Sequence, residues 1–137
     1  MNSKQAQRYR EDGMAVTPRP QLVVKLYERL ASDLFQASKA AGSGEVEAAH
    51  TALLHAQDIV FELTLALDVD AWAGGAGLRD LYQHLSGRLL EANVHKSREI
   101  IDECSMLIAP LVGAWQEALQ IVQQSRVASP AYAAGQA

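Results

Sequence analysis

Apolar residues recur at intervals of three and four along four separate stretches of this chain, and no other feature constrains the fold as strongly. In the second stretch Val46, Ala49, Leu53, Ala56, Val60, Leu63 and Leu67 keep the alternation without a break. An α-helix turns about 100° per residue, so this spacing gathers the residues on one arc of the wheel. The first stretch carries Leu22, Leu26, Leu30, Leu34, Ala37 and Ala41; the third carries Leu78, Leu81, Leu85, Leu89 and Ala92. The fourth carries Ile101, Cys104, Ile108, Leu111, Trp115, Ala118 and Val122. A helical bundle needs one such seam per helix, and each helix supplies one.

Punctuation between the seams sets the boundaries. "TPRP", 17–20, offers a start for the first helix, with Thr17 as N-cap and Pro18 in the first turn. Pro20 pushes Arg19 away from helical geometry and moves the start toward Pro20 itself. "GSG", 42–44, ends that helix and permits a reversal. The second helix is expected over 45–68, followed by the loop "VDAWAGGAG", 69–77. The third is expected over 78–96, and Ser97 is placed to cap the fourth. Pro110 lies inside the fourth helix and cannot donate to the carbonyl of Met106, so a bend, a break or two segments is expected there, with Gly113 adding slack. Short connections make consecutive helices antiparallel neighbours. The predicted fold is all-α: an antiparallel up-down four-helix bundle over 18–126. It is preceded by a mobile N-terminal arm or short extra helix (1–17) and followed by a seamless, disordered C-terminal tail (127–137).

Composition narrows the function classes. The formal charge of −4 comes without a basic block, which argues against a nucleic-acid partner, since phosphate binding needs clustered Lys or Arg. The single cysteine, Cys104, excludes an internal disulfide framework and fits a reducing compartment. The first residues, "MNSKQAQRYREDG", lack the apolar core of a secretory signal, and the longest apolar run, 106–115, is half a bilayer span. These features predict a soluble, cytoplasmic protein with no membrane insertion.

The tests for chemistry come back negative. Glu47 and His50 form one E-x-x-H pair, but a di-iron bundle needs two, with further inward carboxylates. His55, His84 and His95 have no ligand spacing to one another. Cys104 sits on an apolar seam, where a thiol is inert. The "AGGAG" loop lacks the Lys and Ser/Thr of a phosphate-binding loop. No catalytic residue, metal site or cofactor is expected, which points to a binding protein.

Some apolar residues are left over. Leu54, Phe61 and Leu65 lie together roughly 120° round the wheel from the second seam, with Gln57 and Thr64 between the two stripes. Leu90 and Val94 fall outside the third seam, beside Gly87. The second and third helices are neighbours in the predicted bundle, so these residues could line one groove for a partner. A dimer interface, a fifth helix or the N-terminal arm would cover them equally well.

Short motifs over residues 9–119 then show a resemblance. "LYERL" (26–30), "AQDIVFEL" (56–63), the pair Gly74 and Gly75, "LRDLYQHLSGRLLEAN" (78–93) and "LVGAW" (111–115) occur in the order found in the FliS family of flagellar secretion chaperones. Tyr9 and Thr17 resemble that family's N-terminal Tyr and pre-helix Thr. The chain departs from the pattern in having Pro18 and Pro20 around Arg19, Ser97 in place of an Asp, and Pro110. The resemblance implies an antiparallel four-helix bundle that binds the disordered C-terminal segment of flagellin in the cytosol without ATP. Covering that segment would prevent premature polymerisation and keep flagellin competent for flagellar type III secretion. It also implies an N-terminal arm able to cover part of the cargo site, and it leaves contact with the export gate open. The expected partner-binding residues are Tyr9, Val16, Tyr27, Leu54, Gln57, Phe61, Leu65, Tyr82, Leu90, Asn93 and Val94. A monomer or weak homodimer is expected. The alternative is a helical adaptor or self-associating bundle that binds a different partner helix.

Overall fold

The structure is a computed structural model and describes residues 20–71 and 73–128. The arm with Tyr9, Val16 and Thr17, and the tail from residue 129, lie outside the described residues.

Four long helices follow in order: α1 (Pro20–Gly42), α2 (Val46–Ala66), α3 (Gly75–His95) and α4 (Arg98–Ala128). A single 3-10 turn, Val69–Ala71, sits between α2 and α3. Neighbours pack in a ring, α1 on α2 and α4, and α3 on α2 and α4, while the backbones of the diagonal pairs stay apart and meet only through side chains such as Tyr27 and Tyr82. This is the antiparallel four-helix bundle expected from the seams.

Each boundary has a local cause. Pro20 opens α1 at the one place where a missing N–H costs nothing. Gly44 ends the α1–α2 turn at φ +72, a left-handed conformation that glycine adopts without strain, and the Glu45 N–H closes back on the Ala40 carbonyl at 2.9 Å. The expected second helix is shortened to Val46–Ala66, because Leu67 is already extended. The third starts three residues earlier than expected, at Gly75 rather than Leu78, so "GAG" is its first turn. Gly75 is required there: a Cβ would stand 2.2 Å from the Val69 carbonyl oxygen. Lys96 ends α3 at φ 50, unusual for a residue with a Cβ, and its Nζ donates to the Asn93 carbonyl. Ser97 caps α4 as expected, its hydroxyl accepting from the Ile100 N–H at 3.2 Å.

Helix α4 runs unbroken through Pro110, so the expected two-segment form is not found. At 31 residues it measures about 46 Å, against about 32 Å for the 21-residue α2 and α3. It therefore runs past the end of the bundle. Over Arg98–Ser125 it is long and apolar enough to cross a membrane by those two criteria alone. In the fold, its residues Ile101, Cys104 and Ile108 are buried against the other helices.

The core confirms most of the seams. Leu26, Leu30, Leu34, Leu53, Leu63, Leu85, Leu89, Ile101 and Ile108 join one buried cluster. Three seam assignments fail, all near helix ends. Leu22 and Val46 are exposed in the first turns of α1 and α2, and Val122 is exposed on the projecting part of α4. A wheel cannot show where a helix outruns its partners.

Candidate helix-binding groove

The leftover apolar residues define the site. Leu54, Phe61 and Leu65 on α2, with Leu90 and Val94 on α3, are 45% to 70% exposed. Their level is set by a side-chain bond between the two helices: His50 Nδ1 to Asn93 Oδ1, 3.1 Å. In an antiparallel pair with that register, Leu54 stands level with Leu90, and Phe61 with Tyr82. The two stripes therefore flank the α2/α3 seam on the outside of the bundle.

Three expected contact residues are instead interior. Tyr27 and Tyr82 belong to the core cluster, and their hydroxyls meet at 2.5 Å in its middle. Trp115 stacks on Tyr27 with ring centroids 6.2 Å apart. Burial pushes both phenols above their ordinary pKa; for Tyr27, hydrogen bonding to Tyr82 and Trp115 offsets part of the rise. Tyrosine reads as a groove residue in a motif, but here its hydroxyl finds a partner inside, which makes full burial cheap. Asn93 is also buried, and its Oδ1 accepts from both His50 and Lys96 Nζ. It ties α2 to the end of α3 and so fixes the register of the groove.

Gln57 sits where the sequence put it, between core and stripe, and is half-buried. Its Oε1 is buried without any hydrogen-bond partner, alone in this among the described side chains. An unpaired buried acceptor costs about 1–3 kcal/mol. Thr64, the other polar residue between the stripes, is satisfied by donating to the Val60 carbonyl at 2.7 Å.

A second apolar patch was not foreseen. Phe35 is exposed on the opposite edge, between α1 and α4, above a cleft formed with Ala31, Ile108 and Ala109. The cleft is closed at one end by Ser38, whose hydroxyl accepts from Arg98 Nε and donates to Asp102 Oδ1. Phe35 follows directly after the buried Leu34, so periodicity alone gave no sign that it stood apart. The α1/α2 edge is polar by contrast, with His55 donating through Nδ1 to Asp33 Oδ2 and accepting from Arg29.

No group of three His, Cys, Asp or Glu that could hold a metal occurs among the described residues. Burial pushes the Cys104 thiol up to about 11, so it stays protonated at neutral pH and is a poor nucleophile. Glu47 is not paired with His50 toward a common point; His50 is committed to Asn93.

Comparison with curated proteins finds no match. The family model for "Flagellar protein FliS" matches residues 1–122, most of the chain. With its four-helix bundle and the sequence motifs on α1 to α4, the chain belongs to the FliS family of flagellar proteins.

Proposed function

We propose that this protein is a cytosolic, ATP-independent export chaperone for flagellin. It holds the disordered C-terminal segment of flagellin, prevents premature polymerisation and keeps the protein competent for flagellar type III secretion. The observation that carries the reading is the exposed stripe of Leu54, Phe61, Leu65, Leu90 and Val94 on a bundle whose family is flagellar. An amphipathic segment can lay its apolar side chains along such a groove, anchored at several positions. No nucleotide is needed, because burial of the segment supplies the driving force. Ordering a disordered segment costs about 2–5 kcal/mol, so the contact must be extensive. The patch around Phe35 gives the segment a second apolar place to rest as it passes round the bundle.

The test is calorimetric titration of a synthetic peptide covering about the last 40 residues of the organism's flagellin, at several temperatures. Saturable one-to-one binding with a negative heat-capacity change is expected. Phe61→Glu is expected to weaken binding at least tenfold and to leave the thermal midpoint nearly unchanged, because Phe61 is 62% exposed. Absence of binding by a folded protein refutes the proposal and redirects the search to another partner helix or to self-association. A large fall in the midpoint of the Phe61 variant would place Phe61 in the core.

A further inference from the structure

We infer that Gln57 is the polar anchor of the α2/α3 groove, and that its side-chain carbonyl accepts a main-chain N–H from the bound segment where that segment is extended or just entering a helix. The inference rests on the reading of the groove as a cargo site. It starts from the one unmet demand among the described side chains, the buried and unpartnered Gln57 Oε1. Proteins rarely leave such an acceptor unpaired without a reason. The position is suggestive as well. Gln57 lies on the α3-facing flank of α2, between the core seam and the exposed Leu54, Phe61 and Leu65.

The free oxygen is covered, yet the residue as a whole is only half-buried, so the amide can turn outward about its side-chain torsions while the Cβ stays in place. Turned outward in the free protein, the oxygen is hydrated; a bound segment that covers the groove displaces that water and must supply a donor in its place. A main-chain N–H is the donor that almost every residue of a peptide carries. Inside a helix those groups are already spent on the helix's own carbonyls, except in the first turn. The bound segment must therefore cross Gln57 in extended form or at a helix start. The apolar stripes would select for bulk along the segment, and Gln57 would set its register.

The test pairs a substitution in the protein with one in the peptide. Gln57→Met keeps the side chain's length and removes its polarity. It is expected to weaken binding of the flagellin peptide about five- to tenfold, the worth of one hydrogen bond, while the urea midpoint of the free protein stays level or rises. In the peptide, amide N–H groups are replaced one at a time by ester oxygens. A single position is expected to lose a similar factor against the unaltered protein and to lose nothing further against Gln57→Met. If the unaltered protein does not bind the unaltered peptide, the cargo reading itself fails. If it binds but Gln57→Met binds equally well, the oxygen is served by an ordered water and the anchor role is overturned. If Gln57→Met weakens binding while no ester position couples to it, the donor is a side chain and the main-chain assignment is overturned.

Discussion

The paired hydroxyls of Tyr27 and Tyr82 allow a sharp energetic test of the core. They meet at 2.5 Å, and both rings are almost wholly buried. Tyr82→Phe removes one oxygen and leaves the Tyr27 hydroxyl without that partner in an apolar setting. The cost is the lost bond plus the stranded group, about 2 kcal/mol. Tyr27→Phe strands the Tyr82 hydroxyl in the same way and should cost a similar amount. The double variant strands nothing, so it should cost less than either single one, about 1 kcal/mol or below. The coupling between the sites is then about 3 kcal/mol, well above the roughly 0.5 kcal/mol within which independent sites add. Urea unfolding followed by far-ultraviolet circular dichroism measures all three. A double variant about 4 kcal/mol less stable than the parent, the plain sum, would show that the hydroxyls do not depend on each other and would refute the reasoning.

Other consequences follow from single residues. Gly75→Ala should lower stability by about 1–3 kcal/mol, because the new methyl would meet the backbone of Val69, which cannot step aside as a side chain can. Gly113→Ala should instead raise stability by up to about 1 kcal/mol: its Cβ meets open space, and Ala favours the helix. Pro110→Ala should stabilise the bundle and raise its helical dichroism, because α4 is already continuous and the Met106 carbonyl regains a donor; lower stability would show that the packing depends on the proline. In alkali the sign is set by groups whose pKa is raised on folding: Tyr27, Tyr82 and Cys104, the last to about 11. Their neutral forms are favoured in the fold, so their contribution is intact below the unfolded values, near 9 for the thiol and near 10 for the phenols. Stability should hold from neutrality to about pH 9 and then fall steadily, first as unfolded Cys104 ionises and then as the tyrosines do. Cys104→Ala should remove the first part of that fall in a series of urea midpoints against pH.

Much of the fold could be read directly because a bundle writes its core at a period that survives in the sequence. Leu53, Leu63, Leu85, Leu89, Ile101 and Ile108 stand on the seams and face inward. The exposed stripe was readable for the same reason, as a departure from the period. Rotation of one helix against another has no such signature. Whether Tyr27 or Leu22 faced the core depended on how α1 turns against its neighbours, and the Tyr27–Tyr82 bond spans 55 positions of chain. Asn93 carried no mark of its partner, since His50 lies 43 residues away on another helix. The demand on Gly75 was not legible either: the backbone of Val69 lies so close to it that nothing larger fits. Polarity between the stripes was visible at Gln57, but that its oxygen would lack a partner was not.

The length of α4 bears on how the assembly state is to be measured. A bundle of four helices is roughly 20–25 Å across, given the usual spacing and diameter of packed helices, and α4 carries one end of it well beyond its neighbours. A particle of that shape drags more solvent than a sphere of equal mass. On gel filtration the 14.9 kDa chain should elute ahead of compact standards of its own size and resemble something heavier. Elution volume alone would then turn a monomer into an apparent dimer, and a bound peptide lying along the bundle could pass without any shift. Light scattering or sedimentation equilibrium, which weigh the particle regardless of its outline, is the sound way to count chains here.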